Sequence, residues 1–157
     1  AVSGVPAGSG IMVNSNDQVE IFNNRISGNN TANILISSYF SANYAGQREV
    51  AAEFDPYPEM IYIYNKDMSG AGKAPGMDYL VAVRDAGFGP DGAFPDIIWD
   101  GVIDPNDPAD REVICVDNGD ALLLNIDAIN EFANPSLEMA AYQCSVEKLS
   151  AIELPAG

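Results

Sequence analysis

Ten aspartates fall between Asp85 and Asp127, and carboxylates at that density suit two kinds of chemistry. The first is calcium binding, which takes about six to eight oxygen ligands from carboxylates and carbonyls. Asp104, Asp107 and Asp110 are the metal candidates, and calcium is the one cofactor the chain suggests. The run Asp104-Pro105-Asn106-Asp107-Pro108 departs from the EF-hand pattern at its fifth position and lacks the required glycine. Solvated turn aspartates on a secreted protein are the competing account. The second chemistry is glycoside hydrolysis by a carboxylate pair. Asp100 and Asp117, with Asp120 close by, are the catalytic candidates. An aspartate at a chain corner, however, commonly bonds its own turn. The matching positions Asn23 and Asn65 carry no charge, which favours a structural role. A lyase would need a base beside calcium, and Arg25, Arg48, Arg84, Arg111 and three lysines are scattered along the chain.

Six of the seven tyrosines lie between Tyr39 and Tyr79. Aromatic faces with a polar tip make sugar platforms and interface anchors, so Tyr39, Tyr44, Tyr57, Tyr62 and Tyr64 are the ligand-binding candidates, with a glycan as the candidate ligand. Tyr62 and Tyr64 alternate in a strand pattern, so packing beneath a neighbouring segment is the structural alternative. The two cysteines, Cys115 and Cys144, are spaced for neither a redox motif nor a metal site. They are either buried free thiols or one disulfide. The acidic, Asn-rich, lysine-poor composition favours the disulfide, which would close a loop of about 30 residues and stabilise by roughly 3–4 kcal/mol.

The whole chain carries seven basic and twenty-three acidic residues, a formal charge of −16 over 157 residues, and no histidine. Histidine catalysis and histidine-ligated zinc are therefore excluded. Phosphate backbones and anionic membrane surfaces are repelled, so nucleic acid is not an expected partner. No stretch reaches the ~18 apolar residues of a membrane span. An apolar share of 47% suffices for one core.

The elements that would position these residues are short. Ile11-Met12-Val13, Val19-Glu20-Ile21-Phe22 and Ile34-Leu35-Ile36 are β-branched runs separated by Asn, Gly, Ser and Asp, a strand–turn–strand pattern. Asn and Gly suit the corners because both tolerate the left-handed backbone region. An offset of 23 carries Ile11 onto Ile34, and an offset of 42 carries Val19–Gly28 onto Ile61–Gly70. Asp96–Ile103 and Val113–Gly119 repeat the same shape. One column then collects Asn23, Asn65, Asp100 and Asp117. A repeat near 20–23 residues with such corners predicts a solenoid whose stacked layers share one continuous core.

The rungs Val19–Gly28 and Asn33–Ser38 resemble parallel β-helix repeat proteins. Phe54-Asp55-Pro56-Tyr57-Pro58-Glu59 leading into Ile61-Tyr62-Ile63 carries the resemblance further, as do Pro95–Gly101, Ile114–Asp120 and Leu124–Asp127. Together they resemble the C-terminal part of an uncharacterised bacterial family of parallel β-helix domain-containing proteins. That resemblance implies a larger, exported protein, often lipid-anchored and often encoded beside a c-type cytochrome-like protein. It brings no catalytic residue, and it implies that this chain is the last few coils and the cap of something longer.

The expected fold is all-β: a right-handed parallel β-helix with a short helical insertion and an irregular C-terminal cap. Residues 1–157 form a single domain, with coils over 10–127, insertions at about 39–58 and 71–95, and a cap over 128–157. Met77–Ala86 is the expected helix, with Gly87 and Gly89 beyond its end. The first coil exposes an unpaired edge, to be covered by missing residues, another copy or a partner chain. The expected function is an extracellular, non-catalytic binding or scaffolding module for carbohydrate or a protein partner. A fragment of a polysaccharide-active hydrolase or lyase, or a self-assembling structural subunit, is the alternative. The expected location is secreted, periplasmic or cell-surface.

Overall fold

The structure, a computed structural model, describes residues 5–41, 50–106, 114–117 and 121–151. The chain is mostly β, with nine strands and one α-helix among the described residues. The first three strands are β1 (Ser9–Asn14), β2 (Asp17–Phe22) and β3 (Arg25–Ser27). β4 (Ala32–Ser37), β5 (Glu59–Tyr64) and β6 (Asp67–Ser69) repeat that series. After helix α1 (Asp78–Phe88) come β7 (Ile97–Trp99), β8 (Ile114–Val116) and β9 (Leu123–Asn125).

Every strand pairing is parallel, and the strands form three sheets ordered β1-β4-β7-β9, β2-β5-β8 and β3-β6. No sheet closes into a barrel. From β1 to β8 the chain visits the sheets in rotation, so strands of one pass lie against those of the next, and β9 then returns to the first sheet. The repeats legible in the sequence are the pairing registers: Ile11 faces Ile34, Val19 faces Ile61, and Arg25 faces Asp67.

These registers build the core. Ile11, Ile34, Ile97 and Leu123 form one column, and Val13, Ile36 and Trp99 a second. From the three-stranded sheet, Val19–Ile61–Ile114 and Ile21–Ile63–Val116 meet them. The outer faces are covered too. Met12, Leu35, Ile98 and Leu124 pack under α1 through Leu80 and Val83. Tyr62, Tyr64 and Cys115 pack under Cys144 and Val146. Strands covered on both faces read as continuous apolar runs rather than alternating ones, which is why Ile34-Leu35-Ile36 and Ile61-Tyr62-Ile63-Tyr64 look unpatterned.

The corners behave as the Asn and Gly content predicts. Asn23 and Asn65 take φ of 56° and 44°, and Gly28 and Gly70 take 69° and 70°, each pair related by the 42-residue register. Gln18 and Met60 are a third such pair, at φ 54° and 51°. Neither residue type prefers this region, so the stack imposes it.

The helix ends at Phe88, two residues beyond the expected Ala86. Gly87 lies inside α1, and Gly89 is the C-cap, with φ 80° and its N–H on Asp85 O at 3.1 Å. The apolar anchors Leu80 and Val83 extend the helix past the first glycine because burial outweighs Gly's roughly 1 kcal/mol helix cost. Beyond β9 the chain forms two 3₁₀ turns, Ala128–Asn130 and Met139–Ala141. Ser136 bridges Asn125 in both directions at 2.8 and 2.9 Å, and Val116 N–H donates to Tyr142 O at 2.7 Å. These bonds block the last strand edges of both larger sheets.

Ile36→Ala, in the innermost column, is expected to lower unfolding free energy by about 2–5 kcal/mol. Gln18→Gly is expected to raise it by up to ~1 kcal/mol through relief of the positive φ. Urea denaturation of both variants measures this, and a stability loss in Gln18→Gly would count against the imposed conformation.

Candidate functional site

The four-stranded sheet ends in a cluster of polar and aromatic groups. Asp100 follows β7, is 2% exposed, and accepts from three donors: Ser38 N–H at 2.5 Å, Val102 N–H at 3.0 Å, and the Ser41 hydroxyl. It therefore ties the segment after β4 to the segment after β7. Burial pushes its carboxyl pKa up, and the hydrogen bonds from Ser41, Val102 and Ser38 oppose that shift. Gly101, with φ 79°, continues the turn, and a Cβ there would collide with the Asn125 side-chain amide.

Around this knot lies a groove of two hollows. One, of about 360 Å³, has Met12, Leu35, Leu80 and Ile126 among its walls, with Tyr79 and Phe132 beside them. Tyr79 and Phe132 stack at 5.4 Å and 13°, joining α1 to the C-terminal segment. The other, of about 530 Å³, is lined by Tyr57, Val102, Ile103, Pro105 and Ile129. The hollows share Phe40, Ser41 and Ala128. Phe40, Tyr79, Ile103 and Ile129 are 42%, 40%, 52% and 66% exposed, a contiguous apolar surface of the kind that marks binding sites.

The sequence candidates divide among several places. Asp100 and Asp117 do not share a column. Asp117 follows β8 and lies beyond Val116, which faces Ile63, so it sits opposite Tyr64, one step short of Asn65. Asp100 lies beyond Trp99, which faces Ile36 in the other sheet. The similar strand–Asp shapes hid a difference of sheet that only pairing reveals. Asp117 is also occupied structurally: Tyr62 OH donates to Oδ2 at 3.1 Å, and Lys66 Nζ donates to its backbone oxygen at 2.8 Å. Burial lowers the Lys66 pKa, with Asp117 opposing.

The tyrosines form two groups. Tyr39 packs edge-on to Phe54 at 5.3 Å and to Phe40 at 6.4 Å, and Phe40 meets Tyr57 at 5.6 Å; of these, Phe40 and Tyr57 line the groove. Tyr62 and Tyr64 lie together on the three-stranded sheet, 4.5 Å apart, and are buried. Lys148 sits 4.4 Å over the Tyr64 ring. Tyr62's phenol pKa is raised by burial first and by the Asp117 hydrogen bond second, and Tyr64's by burial first and Glu20 second. Cys115 and Cys144 form a disulfide that holds the tail on this face.

Asp104 is in a local turn, its Oδ1 accepting Asn106 N–H at 2.8 Å. Tyr44, Asp107, Asp110 and Asp120 lie outside the described residues. A different carboxylate group does form: oxygens of Asp17, Asp55 and Glu59 lie within 4.8 Å of one another. Asp17 and Glu59 also make further interactions. Asp17 faces Glu59 by the same 42-residue register as Val19 and Ile61, so two of the cluster's three members follow from the repeat. The groove residues Phe40, Tyr79, Phe132 and Ile129 carry no periodic signal. They meet because α1 and the C-terminal segment fold over one sheet.

Comparison with known proteins finds no matching family model, no similar curated protein and no similar solved structure.

Asp100→Asn is expected to cost about 1–3 kcal/mol at neutral pH, because an amide nitrogen would face one of the bound N–H groups. A folded-state pKa above the unfolded one means that the carboxyl favours folding most below the ordinary carboxylate range. That contribution is lost as pH rises through the raised value. The stability lead of the wild type over Asp100→Asn is therefore expected to widen on acidification, as urea melts at pH 7 and pH 4 would register. Replacing both Cys115 and Cys144 with serine is expected to lower stability by about 2–4 kcal/mol. It is also expected to return the Tyr62 and Tyr64 phenols toward ordinary titration, followed by absorbance at alkaline pH. Unchanged titration would mean that the tail holds without its covalent tie.

Proposed function

We propose that the chain is a right-handed parallel β-helix acting as a non-catalytic, extracellular binding module, with the two-hollow groove as its ligand site. The rotation of the chain through three parallel sheets, with equivalent strands laid side by side, supports the solenoid. It is also the arrangement implied by the resemblance to parallel β-helix repeat proteins. The disulfide fits an oxidising compartment, and no described helix is long and apolar enough to cross a membrane.

The observation that carries the binding reading is the contiguous exposed surface of Phe40, Tyr79, Ile103 and Ile129 around two adjoining hollows. Binding is favoured over hydrolysis because Asp100 and Asp117 stand in different sheets, each engaged by internal donors. A hydrolytic pair needs two carboxyls facing one bond. Head-to-tail self-assembly is disfavoured by the Ser136 and Tyr142 bonds that occupy the final strand edges.

Small aromatic probes such as phenol and indole, at millimolar concentration, are expected to shift backbone amide resonances of Leu35–Ser41, Tyr79–Leu80 and Ile126–Phe132 in NMR spectra. Shifts confined to the Tyr62–Tyr64 face, or absent throughout, would remove the groove as the site.

A further inference from the structure

The groove's chemistry narrows its occupant, on the premise that the groove is the binding site proposed above. Its walls are mostly apolar, and its polar groups are few: Ser37, Ser41, Asp100 and the Tyr79 phenol in one hollow, and Ser41 and the Tyr57 phenol in the other. The Asp100 oxygens already accept from Ser38, Ser41 and Val102. A sugar seated here would bury hydroxyls with few partners, at a cost of roughly 1–3 kcal/mol for each one left unsatisfied. Apolar side chains suit the two hollows without that cost.

Among the described residues, the charged groups beside the groove's lining are acidic. Asp78 precedes Tyr79, Asp127 precedes Ala128, and Glu131 precedes Phe132. Asp55 and Asp104 lie close enough to Tyr57 to help raise its phenol pKa, after burial. No described lysine or arginine lines either hollow. Arg25 pairs with Asp67, Arg84 with Asp85 and the Lys73 carbonyl, Lys66 with the Asp117 carbonyl, and Lys148 covers Tyr64. The net charge of −16 extends the same field over the molecule.

We propose that the groove docks a cationic polypeptide segment of a partner protein, with two apolar side chains in the two hollows and flanking lysines or arginines against the acidic rim. Apolar anchors in pockets supply most of the affinity at such interfaces, and the charged rim supplies steering and partner choice. The saddle of Phe40 and Ala128 between the hollows sets the separation of the two anchors.

The test uses the intact chain and three synthetic peptides of about a dozen residues: lysine with leucine and phenylalanine, lysine with serine at equal positive charge, and glutamate with leucine and phenylalanine. Titration calorimetry should rank the first at least roughly tenfold tighter than the other two, with affinity falling as salt rises. Ile129→Glu should weaken the first peptide severalfold although it makes the protein more acidic. Lys148→Glu, which makes it still more acidic away from the groove, should not weaken it. Equal binding of the lysine–serine peptide, or tighter binding by Ile129→Glu, would reduce the effect to bulk electrostatics and overturn the proposal. If the glutamate peptide or a neutral oligosaccharide shifts the groove amides instead, the partner class is wrong while the binding site stands. If no probe shifts them, both fall together.

Discussion

Side chains of one column must land on side chains of the same column at every pass of the chain, and the rest of the molecule depends on that constraint. Ile34 lies between Ile11 and Ile97, and Ile36 between Val13 and Trp99. A slip of one residue would turn each of these toward the outer face and bring Leu35 inward. Burial penalises that slip in one direction, and parallel hydrogen bonding penalises it in the other. The same registers explain why unfavourable backbone conformations recur in pairs: Gln18 with Met60 and Asn23 with Asn65 share φ because each layer is built on the shape of the last. Strain at one corner is held by the layers that pack against it.

The two larger sheets are finished differently, and the difference leaves one outer face closed and the other partly open. On the three-stranded sheet the tail is fastened by the Cys115–Cys144 disulfide, and it buries Tyr62 and Tyr64. That face is closed. On the four-stranded sheet, α1 covers Leu35 and Ile98 through Leu80 and Val83 and stops short of the segments after β4 and β7. The uncovered margin is the groove. Asp100 ties together the segments after β4 and β7 that line it, so a buried carboxylate that looks catalytic in the sequence is engaged by the chain's own donors.

Carboxylates elsewhere follow the same logic. Asp104 closes a turn on Asn106, and Asp127 accepts from the Asn130 side chain at 2.7 Å and from Asn134 N–H at 3.1 Å. Aspartate is frequent here because a chain that turns at every strand end needs short acceptors for its exposed N–H groups. The excess charge then becomes a property of the surface as a whole.

Much of the architecture was legible in the order of residues alone. The offsets of 23 and 42 are pairing registers, the Asn and Gly corners are left-handed turns, and Asp78 with Gly89 brackets the helix. These features are local or periodic, and periodicity survives in one dimension. What the sequence could not supply was which sheet a strand would join, since Ile97-Ile98-Trp99-Asp100 and Ile114-Cys115-Val116-Asp117 read alike yet pair with different partners. Nor could it show Tyr79 meeting Phe132, or Phe40 and Ala128 lining the same two hollows. Those contacts join segments with no shared period, and they exist only because a helix and a tail pack over a sheet that must form first.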